Sequence, residues 1–253
     1  MIDIAIIASA LPVRAPLLER SLHTWDKSAK ASGLSYQICV FSEDWDATSL
    51  CWRYDNCRCA FGEKSGSHIR GYNHWTEQVD AKVYIYTHPD ILFVQNTILT
   101  AYALAVPNRF VGFKILWIPE DVTQDLDLFP WQTPEKLEDC PELYPLHFSD
   151  GHGDFYWNSD VRSKKEWHTT TTFAVNHELA HKIYPMPDLG HQGYDDPLHY
   201  AVRRLLNVED FCVADPILMH QHHAQTWNGN SQEAVREATE LLGSYYKPKF
   251  GMR

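Results

Sequence analysis

The chain has 253 residues, and twenty-two Lys and Arg against thirty-three Asp and Glu leave a formal net charge of −11. That acidic balance argues against a nucleic-acid partner, which needs a basic face to release counterions from phosphates, while 44% hydrophobic and 22% charged residues exclude a disordered tail. No apolar run approaches the ~20 residues that cross a bilayer, so no integral membrane segment is expected and the chain reads as a single soluble, cytoplasmic, globular domain.

The start lacks the basic residues of a signal peptide. Residues 4–8 form a continuous apolar run, the pattern of a strand buried on both faces. Pro12 and Pro16 bracket a turn. Leu17, Leu18, Ser21, Leu22 and Trp25 then recur at helical spacing, predicting a helix to about Ala31 that Gly33 closes. Residues 36–41 read as a second buried strand, and 42–49 as a polar, acidic loop at its carboxyl end. A helix over 70–78 and a third strand over 82–86 follow, the strand running at once into Thr87-His88-Pro89-Asp90. Residues 98–105 read as a helix and 110–117 as a strand. Strand and helix alternating at these lengths imply an α/β fold, a Rossmann-like, mostly parallel sheet flanked by helices. Ligands of such sheets bind beyond the carboxyl ends of the strands, so the loops after Ala8, Phe41 and Tyr86 are expected to line one crevice.

Residues 119–167 break the pattern. They are irregular and rich in Trp, Tyr, His, Asp and Pro, the profile of an aromatic-rich insertion serving as a lid or binding loop. Beyond them a strand over 170–174, a short helix over 176–183, a helix over 197–206, a last strand over 212–219 and a helix over 233–245 are predicted. The six cysteines (Cys39, Cys51, Cys57, Cys59, Cys140, Cys212) contain no Cys-x-x-Cys pair and read as reduced thiols. Nine Trp, thirteen Tyr and fourteen His are many for this length. Aromatic faces suit stacking on sugar rings and equally suit core packing.

Three constellations carry chemistry. Asp90, just past the third strand, is placed to ligate a hard divalent cation, with His88 two residues away on the same side of an extended backbone; Pro89-Asp90 equally suits a turn and a helix cap. Asp195-Asp196, beside Gly193 and before Pro197, suits a helix start. It also suits a general base with a neighbouring hydroxyl ligand, since mutual repulsion raises one pKa. His220 and His222 at the end of the last strand point the same way and suit a shared metal ligand or a surface patch.

In this order the segments resemble a GT-A fold glycosyltransferase, closest to the family 2 type of inverting, nucleotide-sugar-dependent enzymes. The resemblance covers roughly residues 1–112 and 168–226, and implies that Ala8 and Ser9 hold the nucleotide and that Ser42 and Glu43 contact its base. It places Arg70 and Asn73 on the donor, Asn73 seventeen residues before Asp90, with Thr87-His88-Pro89-Asp90 standing where the family carries its DxD metal motif. Asp90, His220 and His88 are then the implied ligands of Mn²⁺ or Mg²⁺ on the diphosphate. Asp196 is the implied base that takes the acceptor proton, and Asp195 orients the acceptor. Residues 1–112 form the nucleotide-sugar half, 113–226 the acceptor and catalytic half, and 227–253 a C-terminal helix and tail. Trp157 and Trp167 are candidates to stack on a saccharide or glycan acceptor. Two other readings use the same residues: a metal-dependent hydrolase, although no His-Glu-x-x-His motif is present, and a catalytically silent GT-A relative that only binds carbohydrate.

Overall fold

A computed structural model describes residues 1–10, 15–43, 45–63, 67–118, 169–188, 211–221 and 232–251. In chain order the elements are β1 (Ile2–Ala10), α1 (Ala15–Ser32), β2 (Tyr36–Glu43), α2 (Thr48–Cys51), β3 (Cys57–Gly62), α3 (His68–Gln78), β4 (Ala81–Thr87), β5 (Ile91–Leu92), α4 (Thr97–Leu104), β6 (Phe110–Ile118), β7 (Thr169–Asn176), α5 (His177–Ile183), β8 (Phe211–Gln221) and α6 (Gln232–Lys249). The eight strands form one sheet in the order β3-β2-β1-β4-β7-β6-β8-β5.

The α/β fold expected from the alternating runs is the one that forms. The four strands β3, β2, β1 and β4 are mutually parallel, and β6 runs parallel to β8. Three antiparallel ladders, β4 with β7, β7 with β6 and β8 with β5, complete the sheet. The apolar run in β1 feeds both faces, as its lack of polar alternation requires. Ile4, Ile6 and Ala8 pack with Leu18, Leu22 and Trp25 of α1 and Ile98 of α4 on one side. Ala5 and Ile7 pack with Ile69 and Tyr72 of α3, Leu179 of α5 and Tyr246 of α6 on the other. Each such fully buried aliphatic side chain contributes about 1.5–3 kcal/mol.

The sequence pattern missed three short elements. Residues 42–49 do not form one polar loop, because β2 continues through Glu43 with both Ser42 and Glu43 buried, and α2 starts at Thr48. Edge strand β3 was not predicted, since Cys57-Arg58-Cys59 lacks an apolar run. Strand β5 is two residues long and owes its existence to β8. The helix expected over 197–206 lies outside the described residues.

The far half of the sheet bends back. Strands β4 and β5 are separated in sequence by residues 88–90 alone, a span of at most ~14 Å, yet β7, β6 and β8 intervene between them in the sheet. The end of β8 must therefore curl round to the carboxyl end of β4. The ladders show how. Along β6 and β8 the register passes from Phe113↔Ala214 to Lys114↔Ile217, leaving Asp215 and Pro216 unmatched, and the ladder of β6 with β7 slips at the same level. Pro216 has no N–H to give to a ladder, and bulges sharpen bend and twist. Trp25 of α1 fastens the curled end, its buried Nε1–H donating to the Ile91 carbonyl at 2.8 Å.

Candidate functional site

Strand register gathers the candidate residues. Ala8 of β1 pairs with Val40 of β2 and with Thr87 of β4, and Ala10 pairs with Ser42. Ser9, Ser42, Glu43 and the turn over 88–90 thus share one rim, at the carboxyl ends of the strands as expected. Ser9 and Ser42 are fully buried, and neither hydroxyl has a hydrogen-bond partner among the described residues.

Asp90 and His220 meet at this rim. Asp90 is buried, His220 is 5% exposed, and Asp90 Oδ2 stands 3.6 Å from His220 Nε2. The backbone fixes the encounter, because Ile91 pairs with His220 across the β5–β8 ladder and the Gln221 N–H donates to the Asp90 carbonyl at 2.9 Å. His220 Nδ1 lies 2.9 Å from the Gln221 carbonyl. A carbonyl only accepts, so Nδ1 carries the proton, and in the neutral ring Nε2 turns a lone pair toward the carboxylate. Two facing acceptors need a positive charge between them, either a proton or a cation. Donors bound ~2.1 Å from one ion stand roughly 3–3.6 Å apart, which fits the observed separation. Binding through one nitrogen while the other is held by a carbonyl is the usual arrangement of a ligating histidine. The pair therefore suits a divalent cation, although no group of three or more such side chains is placed to hold a metal among the described residues.

His88 takes a different neighbour. Its ring stacks on that of His68 at 4.1 Å between centroids and 16° between planes, and His68 Nδ1–H donates to the Ser9 carbonyl at 3.1 Å. His68 opens α3, capped by Ser67, whose side chain accepts from the Ile69 N–H. The helix approaches this closely because residue 71 is glycine. A Cβ there would lie 2.7 Å from Phe41 Cβ and 2.9 Å from Ser9 Cβ.

The remaining predicted donor residues sit on α3. Asn73 is clasped by the backbone of Met186, donating to its carbonyl at 2.8 Å and accepting from its N–H at 2.7 Å. Arg70 is exposed, 3.7 Å from Asp188, and donates to the Glu63 carbonyl at 3.3 Å. Asp195, Asp196, His222, Trp157 and Trp167 lie outside the described residues.

Sequence reasoning missed two positioning groups. His68 meets His88 only through tertiary packing, and no local signal marks it. Gln221 has its side chain locked by α1, its Nε2 donating to the Leu17 carbonyl and to Ser21 Oγ at 3.0 Å each, while Arg20 donates to its Oε1 at 3.5 Å. Its place inside a histidine-rich run drew attention to its neighbours instead.

No family model matches the chain and no curated protein matches it in sequence. Among solved structures it is similar to S. aureus TarS 1–349 in complex with UDP-GlcNAc, at 12% identity and a TM-score of 0.62, over 98% of this chain and 70% of that one. The likeness establishes the fold, a GT-A-like, Rossmann-type sheet flanked by helices. No helix among the described residues is long and apolar enough to cross a membrane.

Proposed function

We propose that this chain is a glycosyltransferase that moves a sugar from a nucleoside diphosphate sugar to a hydroxyl acceptor on a saccharide or glycan. The observation that carries the reading is the buried Asp90–His220 pair, 3.6 Å apart, at the carboxyl rim of a fold shared with a structure holding UDP-GlcNAc. Asp90 and His220 would hold Mn²⁺ or Mg²⁺, and a cation bound there stabilises negative charge on a leaving diphosphate. Ser9 and Ser42 offer buried hydroxyls to the nucleotide, and the stacked His68 and His88 wall the same rim. The GT-A family 2 resemblance assigns Asp196 as the base that takes the acceptor proton and Asp195 as its orienting neighbour. It makes the transfer a single in-line displacement with inversion.

Binding to the native state raises the unfolding midpoint by mass action. A thermal-shift screen of UDP-, GDP- and dTDP-sugars, each with and without MnCl₂, is expected to give a metal-dependent rise with one donor. D90N and H220A should lose that rise while retaining a cooperative unfolding transition. Absence of a shift with every donor, or an undiminished shift in D90N, would overturn the reading. Loss of a general base costs about 10²–10⁴-fold in rate, so D196N should bind donor normally and transfer sugar at least about a hundredfold more slowly.

A further inference from the structure

The amino end of the same parallel block carries a cavity of about 450 Å³, walled by Thr48, Trp52, Arg58, His74, Trp75 and Gln78. It belongs to the opposite end of the sheet from the donor rim. Cys57, beside Arg58, pairs with Ile38 near the start of β2, whereas Gly62 at the other end of β3 pairs with Glu43. Likewise Gln78 is the last residue of α3, while His68, the first, reaches Ser9. Neither Asp90 nor His220 lines this cavity.

The wall chemistry specifies a ligand class. Trp75 lines the cavity but is only 5% exposed, with its indole Nε1–H covered by protein atoms. His74 holds the Trp75 ring edge-on, at 5.0 Å between centroids and 84° between planes. Trp52 is the most exposed large apolar side chain on the described surface, at 82%, and a flat aromatic face at a cavity mouth suits the C–H face of a sugar ring. Arg58 is exposed on β3 and offers a forked set of donors matched to a carboxylate or phosphate. The volume falls within the ordinary range of small-ligand sites. We infer that this cavity is a second saccharide site, in which an anionic sugar stacks on Trp52 and meets Arg58 through its carboxylate or phosphate.

The inference stands apart from the donor reading, because the two sites share no residue. Saturation-transfer NMR and calorimetry on the full chain would use methyl galacturonide, glucose 6-phosphate, methyl glucoside and inorganic phosphate as separate probes. At least one of the two anionic sugars is expected to bind about tenfold or more tightly than the neutral glucoside; which one distinguishes a carboxylate ligand from a phosphate ligand. W52A, at an exposed position that leaves folding intact, should weaken the preferred sugar about tenfold. R58A should reduce the preference over the glucoside to about twofold or less. UDP-GlcNAc with Mn²⁺ should not displace the preferred sugar. Failure of every sugar to bind at 10 mM, equal affinity in W52A and the parent, equal binding of inorganic phosphate and the preferred sugar, or displacement by UDP-GlcNAc would each overturn the assignment.

Discussion

Asp90 and His220 are 130 residues apart in the chain and adjacent in the structure, and each was marked by its place at an apolar strand's end, Asp90 three residues past β4 and His220 next to last in β8. That signal is physical. Strands buried on both faces gather their polar side chains at their ends, where the ligand crevice lies. His68 lacked it, and Gln221 shared it with His220 without revealing its role, because their roles come from what α3 and α1 dock against. At the same scale, Asp3 allows a signed test of stability. Lys82 Nζ donates to its Oδ1 at 2.8 Å, and the Ser35 hydroxyl and N–H donate to its Oδ2 at 2.6 and 3.0 Å. The Lys82 bond first, then those from Ser35, hold the Asp3 carboxyl well below the usual carboxylate range. A group with a depressed folded pKa contributes stability above its unfolded value of ~3.9 and loses it as pH falls further. D3N is therefore expected to cost about 0.5–1 kcal/mol at pH 7 and progressively less as pH falls below about 4, read from urea midpoints across that range. A D3N penalty that stayed constant with pH would show that the carboxylate charge contributes nothing.

Among the elements, long periodic stretches were legible and short ones were not. The helix predicted to end near Ala31 ends at Ser32, with Gly33 in the left-handed region at φ +70°, where a residue without Cβ meets no penalty. Edge strand β3 and two-residue β5 have no periodicity to read, since both are recruited by a neighbouring strand. How α3 sits on the sheet was equally invisible, although it depends on one residue. Gly71 lets the helix press on Phe41 and Ser9, and both contacts involve Cβ atoms next to backbone, which cannot swing aside. G71A gains up to ~1 kcal/mol in helix propensity and incurs about 1–3 kcal/mol of overpacking. The net expectation is a lowered midpoint, by about 2–4 °C for each kcal/mol lost, together with weaker donor binding, because His68 moves with the helix and the helix presses on Ser9. Calorimetry and the donor thermal shift on the same variant check both; a raised midpoint would mean that α3 is not seated by this contact.

For the whole molecule, the bend of the sheet matters more than its parallel half. A parallel block alone would present Ser9, Ser42 and Asp90 without His220; the family resemblance implied that His220 joins Asp90, but strand periodicity carried no sign that β8 curls back to meet β4. Asp215-Pro216 was the available clue, a proline inside an otherwise strand-like run, which argues for a bulge rather than a straight strand. The curl also merges the two halves of the chain into shared cores. Val83 and Ile85 of β4 pack in one cluster with Val111, Ala174 and Leu218, and Tyr84 and Tyr86 pack with Phe173, Leu179 and Leu242 in the other. Strand β4 takes its second neighbour, β7, from beyond residue 112. Neither half can expose such surfaces separately without losing most of its burial, so the chain should unfold in one step. Far-UV circular dichroism, which follows the helices and strands everywhere, and tryptophan fluorescence, with Trp25 and Trp75 buried on opposite faces, should then give coincident midpoints. Two transitions separated by more than about 3 °C would mean that residues 1–112 fold independently. The Asp90–His220 pair would in that case be assembled only after two finished bodies dock.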